Sequence, residues 1–154
     1  MEAAENFTVS LSNLVAATVP VGSIDISDTA SATITDNDTA AISIDDVTVT
    51  EDGMLTFAAT LNSDVDGGLT VDAVFSDATA SAADYDGTTQ TLAFAGTAGE
   101  TQTFTVPLTD DSLVESAEDF TVALDNLLTA VVPVGSIDIT DLSLIHISEP
   151  TRPY

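Results

Sequence analysis

Acidic side chains gather in four short segments of this chain, and each segment lies beside a pattern that predicts a β-strand. The segments span residues 35–38, 50–53, 82–87 and 109–118. Calcium is a hard cation that takes about six to eight oxygen ligands from carboxylate and carbonyl groups. Closely spaced Asp and Glu side chains on converging loops would supply such ligands, whereas without a cation they would repel one another. These segments therefore predict calcium binding.

Other metals fit the acidic segments less well. Magnesium prefers few protein carboxylates and keeps several waters. Zinc is disfavoured because the chain has no cysteine and its one histidine, His146, lies near the C-terminus. None of the segments has the alternating acids, mid-loop glycine and terminal glutamate of an EF-hand loop. The rival interpretation is a solvated acidic surface, which would account for many of the other acids.

The charge balance excludes several classes of partner. The chain of 154 residues has 26 acids and one Lys or Arg, a formal net charge of −25. Such a chain repels nucleic acid and anionic membrane surfaces. It has no run of about 18 apolar residues, so we expect no membrane insertion. Hydrophobic residues make up 44% of the chain, which is enough for a core.

The residue types also disfavour an enzyme. Before residue 142 the chain contains no Lys, Arg, His or Cys, so most pairs of nucleophile and base are impossible. A pair of carboxylates could hydrolyse a glycoside in principle, but no substrate cleft is indicated. We therefore expect a protein that binds and does not catalyse.

The chain repeats itself. Residues 2–28 align with residues 115–141 at an offset of 113, with 19 identities in 27 positions. A self-match this close indicates tandem duplication, and the period has the size of a whole sandwich domain. We therefore expect residues 1–38 to be the C-terminal strands of a preceding repeat. Residues 39–141 are then a nearly complete repeat that lacks its native last strand.

The self-match ends after Asp141. Residues 142–154 look like a translated sequencing adapter, and we interpret them as a non-native tail. The tail stands in the place of the native last strand, with Ile147 where the first copy has Ile34. Because the tail begins with Leu- and Ile-rich sequence, we expect it to pair as a surrogate edge strand. The rival hypothesis is that residues 1–38 donate their own last strand instead.

The alternation of apolar and polar residues predicts the fold. About seven short segments have period two, are rich in Val and Thr, and are separated by turn residues. The pattern predicts an all-β fold, an immunoglobulin-like antiparallel β-sandwich of about seven strands, with a barrel as the alternative. Residues 42–49 are expected to form one strand with a bulge at residues 45–46. Pro107 indicates an edge strand or a bulge, and Tyr85 is expected to pack at a loop corner.

The order of these motifs resembles the Calx-beta domain, a family known from sodium–calcium exchangers and large bacterial surface proteins. The resemblance covers residues 40–141, with residues 1–38 as the tail of a preceding copy. The matching motifs are Thr50-Glu51-Asp52-Gly53, Ala83-Asp84-Tyr85, Gly99-Glu100-Thr101, Asp110-Asp111 with Glu115 and Glu118 before Phe120, and Ile34-Thr35-Asp36-Asn37-Asp38.

The resemblance implies a set of calcium ligands in each copy. In the first copy, Asp36 and Asp38 survive from the closing acidic run. The second copy has lost that run, and only Glu149 lies near its position. The ligands implied in the second copy are Glu51, Asp84, Asp110, Asp111, the carbonyl of Leu113, Glu115 and Glu118.

The leading functional hypothesis is an extracellular or cell-surface repeat module that Ca²⁺ stiffens, within an adhesin-like protein. Its partners would be the neighbouring repeats of the same chain. The alternative is a module that binds a cell-surface glycan or protein in a calcium-dependent manner. Aromatic residues make up only 5% of the chain and tryptophan is absent, which argues against a platform for stacking sugars.

Overall fold

The computed structural model describes residues 1–51, 53–110 and 116–148. In this part of the chain it has eleven strands and two short 3₁₀ turns, and no helix is long and apolar enough to cross a membrane. The strands are β1 (Glu5–Ser10), β2 (Thr29–Ile34), β3 (Ala40–Ile44), β4 (Val47–Thr50), β5 (Met54–Leu61), β6 (Leu69–Asp77), β7 (Gln90–Phe94), β8 (Thr101–Pro107), β9 (Glu118–Thr129), β10 (Ile137–Asp138) and β11 (Leu142–Ser148).

The chain divides into two compact units. The smaller unit is Ala3–Asn37, and it contains the antiparallel hairpin of β1 and β2. The larger unit combines Met1–Glu2 with Asp38–Tyr154 and contains the other nine strands.

The larger unit is a β-sandwich. Its two sheets have the strand orders β10-β3-β5-β8 and β4-β11-β9-β6-β7. All neighbours are antiparallel except the pairs β10–β3 and β11–β4, which are parallel. Alternate side chains of each strand point into the core, where the rings of Phe57 and Phe104 stack with centroids 4.8 Å apart. The prediction of an all-β sandwich is confirmed, and Pro107 ends β8, an edge strand as predicted.

The first strand of the sandwich differs from the prediction. Residues 42–49 form two strands in different sheets, with β3 paired to β5 and β4 paired to β11. The chain crosses between the sheets at Asp45 and Asp46. The Asp45 carbonyl oxygen accepts a hydrogen bond from Ser143 Oγ at 2.8 Å, and Asp46 Oδ1 accepts one from Leu144 N at 2.8 Å. The inward positions are even-numbered before this crossing (Ile42 and Ile44) and odd-numbered after it (Val47 and Val49), so the alternation shifts by one residue where the chain changes sheet.

The C-terminal tail forms β11, which is an interior strand and not the edge strand that the sequence predicts. It pairs antiparallel with β9 on one side and parallel with β4 on the other. β4 is available as the second partner because the chain crosses from one sheet to the other just before it. Ile145 and Ile147 of β11 are buried in the core, whereas Leu144 points outward.

The two copies of the repeat pair their strands in the same register. In the smaller unit Glu5 lies opposite Ile34, and in the larger unit Glu118 lies opposite Ile147. Each position of the second pair is the first plus 113. The hairpin of β1 and β2 therefore corresponds strand for strand to β9 and β11.

The backbone after the paired residues also has shared features in the two copies. Asn13 and Asn126, which are equivalent in the repeat, both adopt positive φ, at 55° and 51°. Asparagine tolerates this left-handed conformation better than most residues. A 3₁₀ turn follows in each copy, at Val21–Ser23 and at Val134–Ser136. The similarity of sequence is thus matched by similarity of backbone.

Candidate functional site

Four of the predicted calcium ligands lie at one end of the larger unit, which we call the acidic end: Glu51, Asp84, Asp110 and Glu118. Strand pairing connects the first of these to the last. Glu51 follows β4, and its backbone N–H donates to the carbonyl oxygen of Ser148 at 3.1 Å. The preceding residue of β11, Ile147, lies opposite Glu118 at the start of β9. Both glutamates are therefore at the same end of the five-stranded sheet.

Backbone contacts connect the other two acids to this end. The N–H of Thr109 donates to the carbonyl oxygen of Asp84 at 2.9 Å, which holds the 82–87 loop against the segment that contains Asp110. Pro107, just before this segment, pairs with Met54, which begins β5 after the turn that carries Glu51. The acidic end thus joins segments that are far apart in the sequence.

Glu51 and Glu118 both face the interior of the sandwich. The Glu51 side chain is only 6% exposed, and it continues the inward alternation of Val47 and Val49 on β4. Glu118 is half-buried and alternates with the buried Phe120. Burying an ionised carboxylate is costly, and bound calcium is one chemistry that offsets this cost.

Asp84 and Asp110 are more accessible. Asp84 is half-buried, and its Oδ2 accepts hydrogen bonds from the backbone N–H of Ser81 at 2.7 Å and from Ser81 Oγ at 2.9 Å. These bonds order the loop and fix the direction of the carboxylate. Asp110 is exposed. The acidic end therefore combines inward-facing and solvent-facing carboxylates.

Tyr85 anchors the loop that carries Asp84. Its ring stacks on Phe120 with centroids 4.0 Å apart and an interplanar angle of 8°, and its hydroxyl donates to Asp77 Oδ1 at 2.6 Å. Burial raises the pKa of Tyr85 above its ordinary value, and the hydrogen bond and negative charge of Asp77 and the charge of Asp84 add to this effect. The prediction that Tyr85 is a packing residue is confirmed. Asp77 was not predicted, since the sequence shows only an acid at a strand end.

The remaining predicted ligands do not join the acidic end or cannot be placed there. Asp38 precedes β3, whose Ile42 pairs with Leu61 at the far end of β5. An eight-residue strand is about 25 Å long, so Asp38 lies at the opposite end of the sandwich. Asp36 belongs to the smaller unit. Three further predicted ligands lie outside the described residues: Asp111, Leu113 and Glu115.

The described acids alone do not complete a metal site. Within residues 1–51, 53–110 and 116–148, no three Asp, Glu or His side chains form a group that could hold a metal ion. The donors at the acidic end are all oxygen atoms, which is the chemistry that calcium prefers. They fit calcium in kind.

Several other acids have a structural role, and for Asp64 the sequence predicts a role in a turn. Glu100 accepts backbone hydrogen bonds from Ala95 at 2.9 Å and from Gly96 at 3.0 Å. The bond from Ala95 is the largest cause that lowers the pKa of Glu100. Asp64 Oδ1 accepts a hydrogen bond from Ala98 N at 2.7 Å. These carboxylates stabilise turns, so the acidic background is more than a solvated surface.

Comparison with known families identifies the class of protein. The model of the Calx-beta domain matches residues 1–39 and again residues 36–141. The chain therefore belongs to the Calx-beta domain family, and it contains two matches to that family in series. The comparison with curated proteins finds no match.

Solved structures of similar fold agree with this assignment. The apo-form Calx CBD1 domain matches with a TM-score of 0.62 and 21% identity over 73% of this chain and 99% of that chain. The calcium binding domain CBD12 of CALX1.1 matches with a TM-score of 0.57 and 22% identity over 70% of this chain and 44% of that chain. The Calx CBD2 domain matches with a TM-score of 0.59 and 16% identity over 73% of this chain and 88% of that chain. At identities this low, the three matches show a shared fold alone.

Proposed function

We propose that this chain is a calcium-binding structural repeat module of a larger extracellular surface or adhesin-like protein. Calcium stiffens the domain and its linkers, and the neighbouring repeats are its partners. The observation that carries the proposal is the convergence of Glu51, Asp84, Asp110 and Glu118 from four separate segments at the acidic end. The four carboxylates share one end of the sandwich without forming a closed group, and a divalent cation that binds among them would relieve the repulsion between like charges.

Composition and fold support the proposal. A net charge of −25 concentrates cations around the protein, and Arg152 is the only Lys or Arg that could compete with them. One of the similar structures is described as a calcium binding domain. Because the three structures described above are only 16–22% identical to this chain, that likeness supports calcium binding here only together with the acidic end.

The proposal also explains how calcium would stiffen the module. The acids at the acidic end are attached to segments from both sheets, since Glu51 follows β4 and Asp110 follows β8. A cation bound by such ligands links the two sheets. Because the unfolded chain does not preserve this arrangement, binding stabilises the folded state, by about 2.7 kcal/mol at a hundredfold excess over Kd.

No catalytic role is proposed. His146 lies on the outer face of β11 and contacts Asp119 of β9, away from the inward-facing glutamates. Tyr85 is buried and its hydroxyl is engaged with Asp77. The Tyr85 hydroxyl is therefore not an accessible acid or base, and the exposed imidazole of His146 is engaged with Asp119.

Calorimetric titration with calcium, together with thermal melts in calcium and in chelator, tests the function. We expect binding heat and a rise in Tm of about 10 °C at a hundredfold excess of calcium. Asp110→Asn should weaken binding. Asp66→Asn makes the same charge change in the exposed turn after β5, at the opposite end, and should bind as the wild type does.

Two outcomes would reject the calcium function. The first is the absence of both binding heat and a shift in Tm. The second is an equal loss of affinity in Asp110→Asn and Asp66→Asn, which would show that calcium screens the whole acidic surface and has no defined site. Repeating the titration with magnesium tests whether the site selects the larger cation.

A further inference from the structure

A cleft at the acidic end is lined by side chains other than those of the predicted calcium ligands. It has a volume of about 570 Å³, which lies within the range of roughly 300 to 1000 Å³ that is usual for ligand pockets. It lies between the loop at residues 82–88 and residues 107–109, which are joined by an antiparallel bridge between Tyr85 and Leu108. The lining of this cleft, which we call the loop cleft, includes Phe75, Asp77, Asp86, Thr88, Pro107 and Leu108.

Part of the lining of the loop cleft is apolar. Phe75 is half-buried, and its ring centroid lies 6.3 Å from those of Tyr85 and Phe120. Pro107 at the end of β8 and Leu108 just beyond it add to this apolar lining. Such a surface can cover the aliphatic part of a ligand, which removes apolar area of both partners from water.

The polar lining carries negative charge. Asp86 Oδ1 accepts hydrogen bonds from the backbone N–H of Thr88 at 3.1 Å and from Thr88 Oγ1 at 2.6 Å. The bond from Thr88 Oγ1 is the largest cause that lowers the pKa of Asp86, so this carboxylate is ionised at neutral pH. Asp77 Oδ1 accepts from the Tyr85 hydroxyl. Among the described residues, no group donates to Oδ2 of either carboxylate, so both can accept hydrogen bonds from a ligand.

We propose that the loop cleft binds an arginine side chain of a partner protein. The guanidinium group donates to the carboxylates of Asp77 and Asp86, and the aliphatic stem packs on the apolar lining. A guanidinium group presents five donors in a planar fork that matches carboxylates, and arginine buries its stem on apolar surface while its charged head is paired. The net charge of −25 also steers basic surfaces toward the protein. Arginine binding goes beyond the proposed calcium function and does not depend on it.

Other classes of ligand fit the loop cleft less well. An anionic ligand would be repelled by the carboxylates of Asp77 and Asp86. A sugar would lack an open aromatic face on which to stack, since Tyr85 is only 4% exposed and Phe75 is half-buried beside it. A lysine ammonium group is strongly hydrated and lacks the planar fork of donors. The lining of the cleft therefore favours arginine over these alternatives.

Titration of the full chain with three blocked peptides tests the class of ligand, with amide chemical shifts measured by NMR in chelator. Each peptide is acetyl-Ala-X-Ala-amide, in which X is arginine, lysine or citrulline, the uncharged isostere of arginine. We expect the arginine peptide to shift the amides of Gly87, Thr88 and Leu108 with a Kd on the order of 1 mM. The lysine peptide should bind at least about threefold more weakly, and the citrulline peptide at least about tenfold more weakly. Because chelator removes calcium, failure of the calcium function would not change this result.

Two variants with the same change of charge test the position of the site. Asp86→Asn removes the charge but keeps an oxygen that can accept from Thr88, and it should bind the arginine peptide at least about fivefold more weakly. Asp66→Asn, at the opposite end of the sandwich, should bind it as the wild type does. Unshifted amides in the loop cleft, or equal affinity of the wild type for the arginine and lysine peptides, would overturn the proposal. Equal weakening in the two variants would also overturn it, because the peptide would then be attracted to the whole acidic surface.

Discussion

Ile147 lies directly opposite Glu118 in the five-stranded sheet, and this pairing places β11 between β9 and β4. The equivalent pair in the smaller unit has the same register. The sequences of the two paired strands differ, since residues 29–35 and 142–148 share one identity in seven positions. The register is therefore set by the repeated segment that precedes the strand, and the strand itself needs only alternating apolar residues.

Ile145→Ala should destabilise the larger unit by about 2–5 kcal/mol, because Ile145 is fully buried and its loss leaves a cavity. Leu144→Ala is the control on the same strand, since Leu144 points outward, and it should cost less than about 1 kcal/mol. Urea unfolding measures both.

Deleting residues 142–154 should lower Tm more than either substitution. An unchanged Tm after the deletion would mean that β11 is not part of the folded core.

Glu51→Gln tests whether the buried carboxylate belongs to the calcium site. Replacing the carboxylate by an amide removes a charged oxygen donor, so the calcium-induced rise in Tm should fall by at least half. Asp38→Asn makes the same kind of change at the opposite end of the sandwich and should retain the full rise. Melts in calcium and in chelator give the difference for each variant. Equal calcium-induced rises in Tm for the two variants would show that Glu51 is not a calcium ligand.

The period-two pattern was sufficient to predict the sandwich but not the sheet that each strand joins. The pattern shifts by one residue at Asp45 and Asp46, and such a shift fits a bulge within one strand as well as a crossing between two sheets. The register of β11 with β4 depends on that crossing. The interior position of β11 could therefore not be predicted from the sequence, which indicates only that this segment can form a strand.

The roles of the acids were predictable only in part. The resemblance to the Calx-beta domain implied Glu51, Asp84, Asp110 and Glu118 as ligands, and these four acids lie at one end of the larger unit; that they bind calcium stays a prediction. Other carboxylates bond to backbone groups that the fold brings from far along the chain. Asp141 Oδ2, for example, accepts a hydrogen bond from the N–H of Ile44, 97 residues away. Such a partner cannot be inferred from neighbouring residues.

Tyr85→Phe should change how stability depends on alkaline pH. Because burial raises the pKa of Tyr85, the folded state holds the phenol proton more tightly than the unfolded state, whose tyrosine pKa is about 10. This stabilisation is complete below about pH 10 and is lost as pH rises further. At pH 8 the free energy of unfolding of the variant should be about 1 kcal/mol lower than that of the wild type, because the hydrogen bond to Asp77 is missing. Between pH 8 and pH 11, the free energy of unfolding should then fall less for the variant than for the wild type.

Urea unfolding at the two pH values measures this effect. The chain is well suited to the experiment, because it contains no lysine and its other tyrosine is Tyr154 at the C-terminus. The Tyr154→Phe variant is the control and should follow the wild type. If the free energy of unfolding falls equally for the wild type and Tyr85→Phe between the two pH values, Tyr85 does not cause the pH dependence.

Glu100→Gln should reduce stability at neutral pH and make it less sensitive to acid. The hydrogen bonds from Ala95 and Gly96 lower the pKa of Glu100 in the folded state. The resulting stabilisation is present above the unfolded pKa of about 4.3 and is lost as pH falls through the lower folded pKa. Urea midpoints at pH 7 and pH 3 should differ less for the variant than for the wild type. Asp110→Asn in chelator is the control, and an effect of equal size there would rule out a specific role for Glu100.

Gly96→Ala should destabilise the larger unit more than Gly99→Ala. Both glycines adopt positive φ, at 97° and 79°, so an alanine is strained at either position. At Gly96 an added Cβ would also lie 2.1 Å from the Val65 carbonyl oxygen, whereas at Gly99 it would meet nothing within 4 Å. We expect a loss of about 1–2 kcal/mol at Gly99 and of more than about 3 kcal/mol at Gly96, where the backbone must move. Urea unfolding measures both, and equal losses would mean that the turn relaxes freely around residue 96.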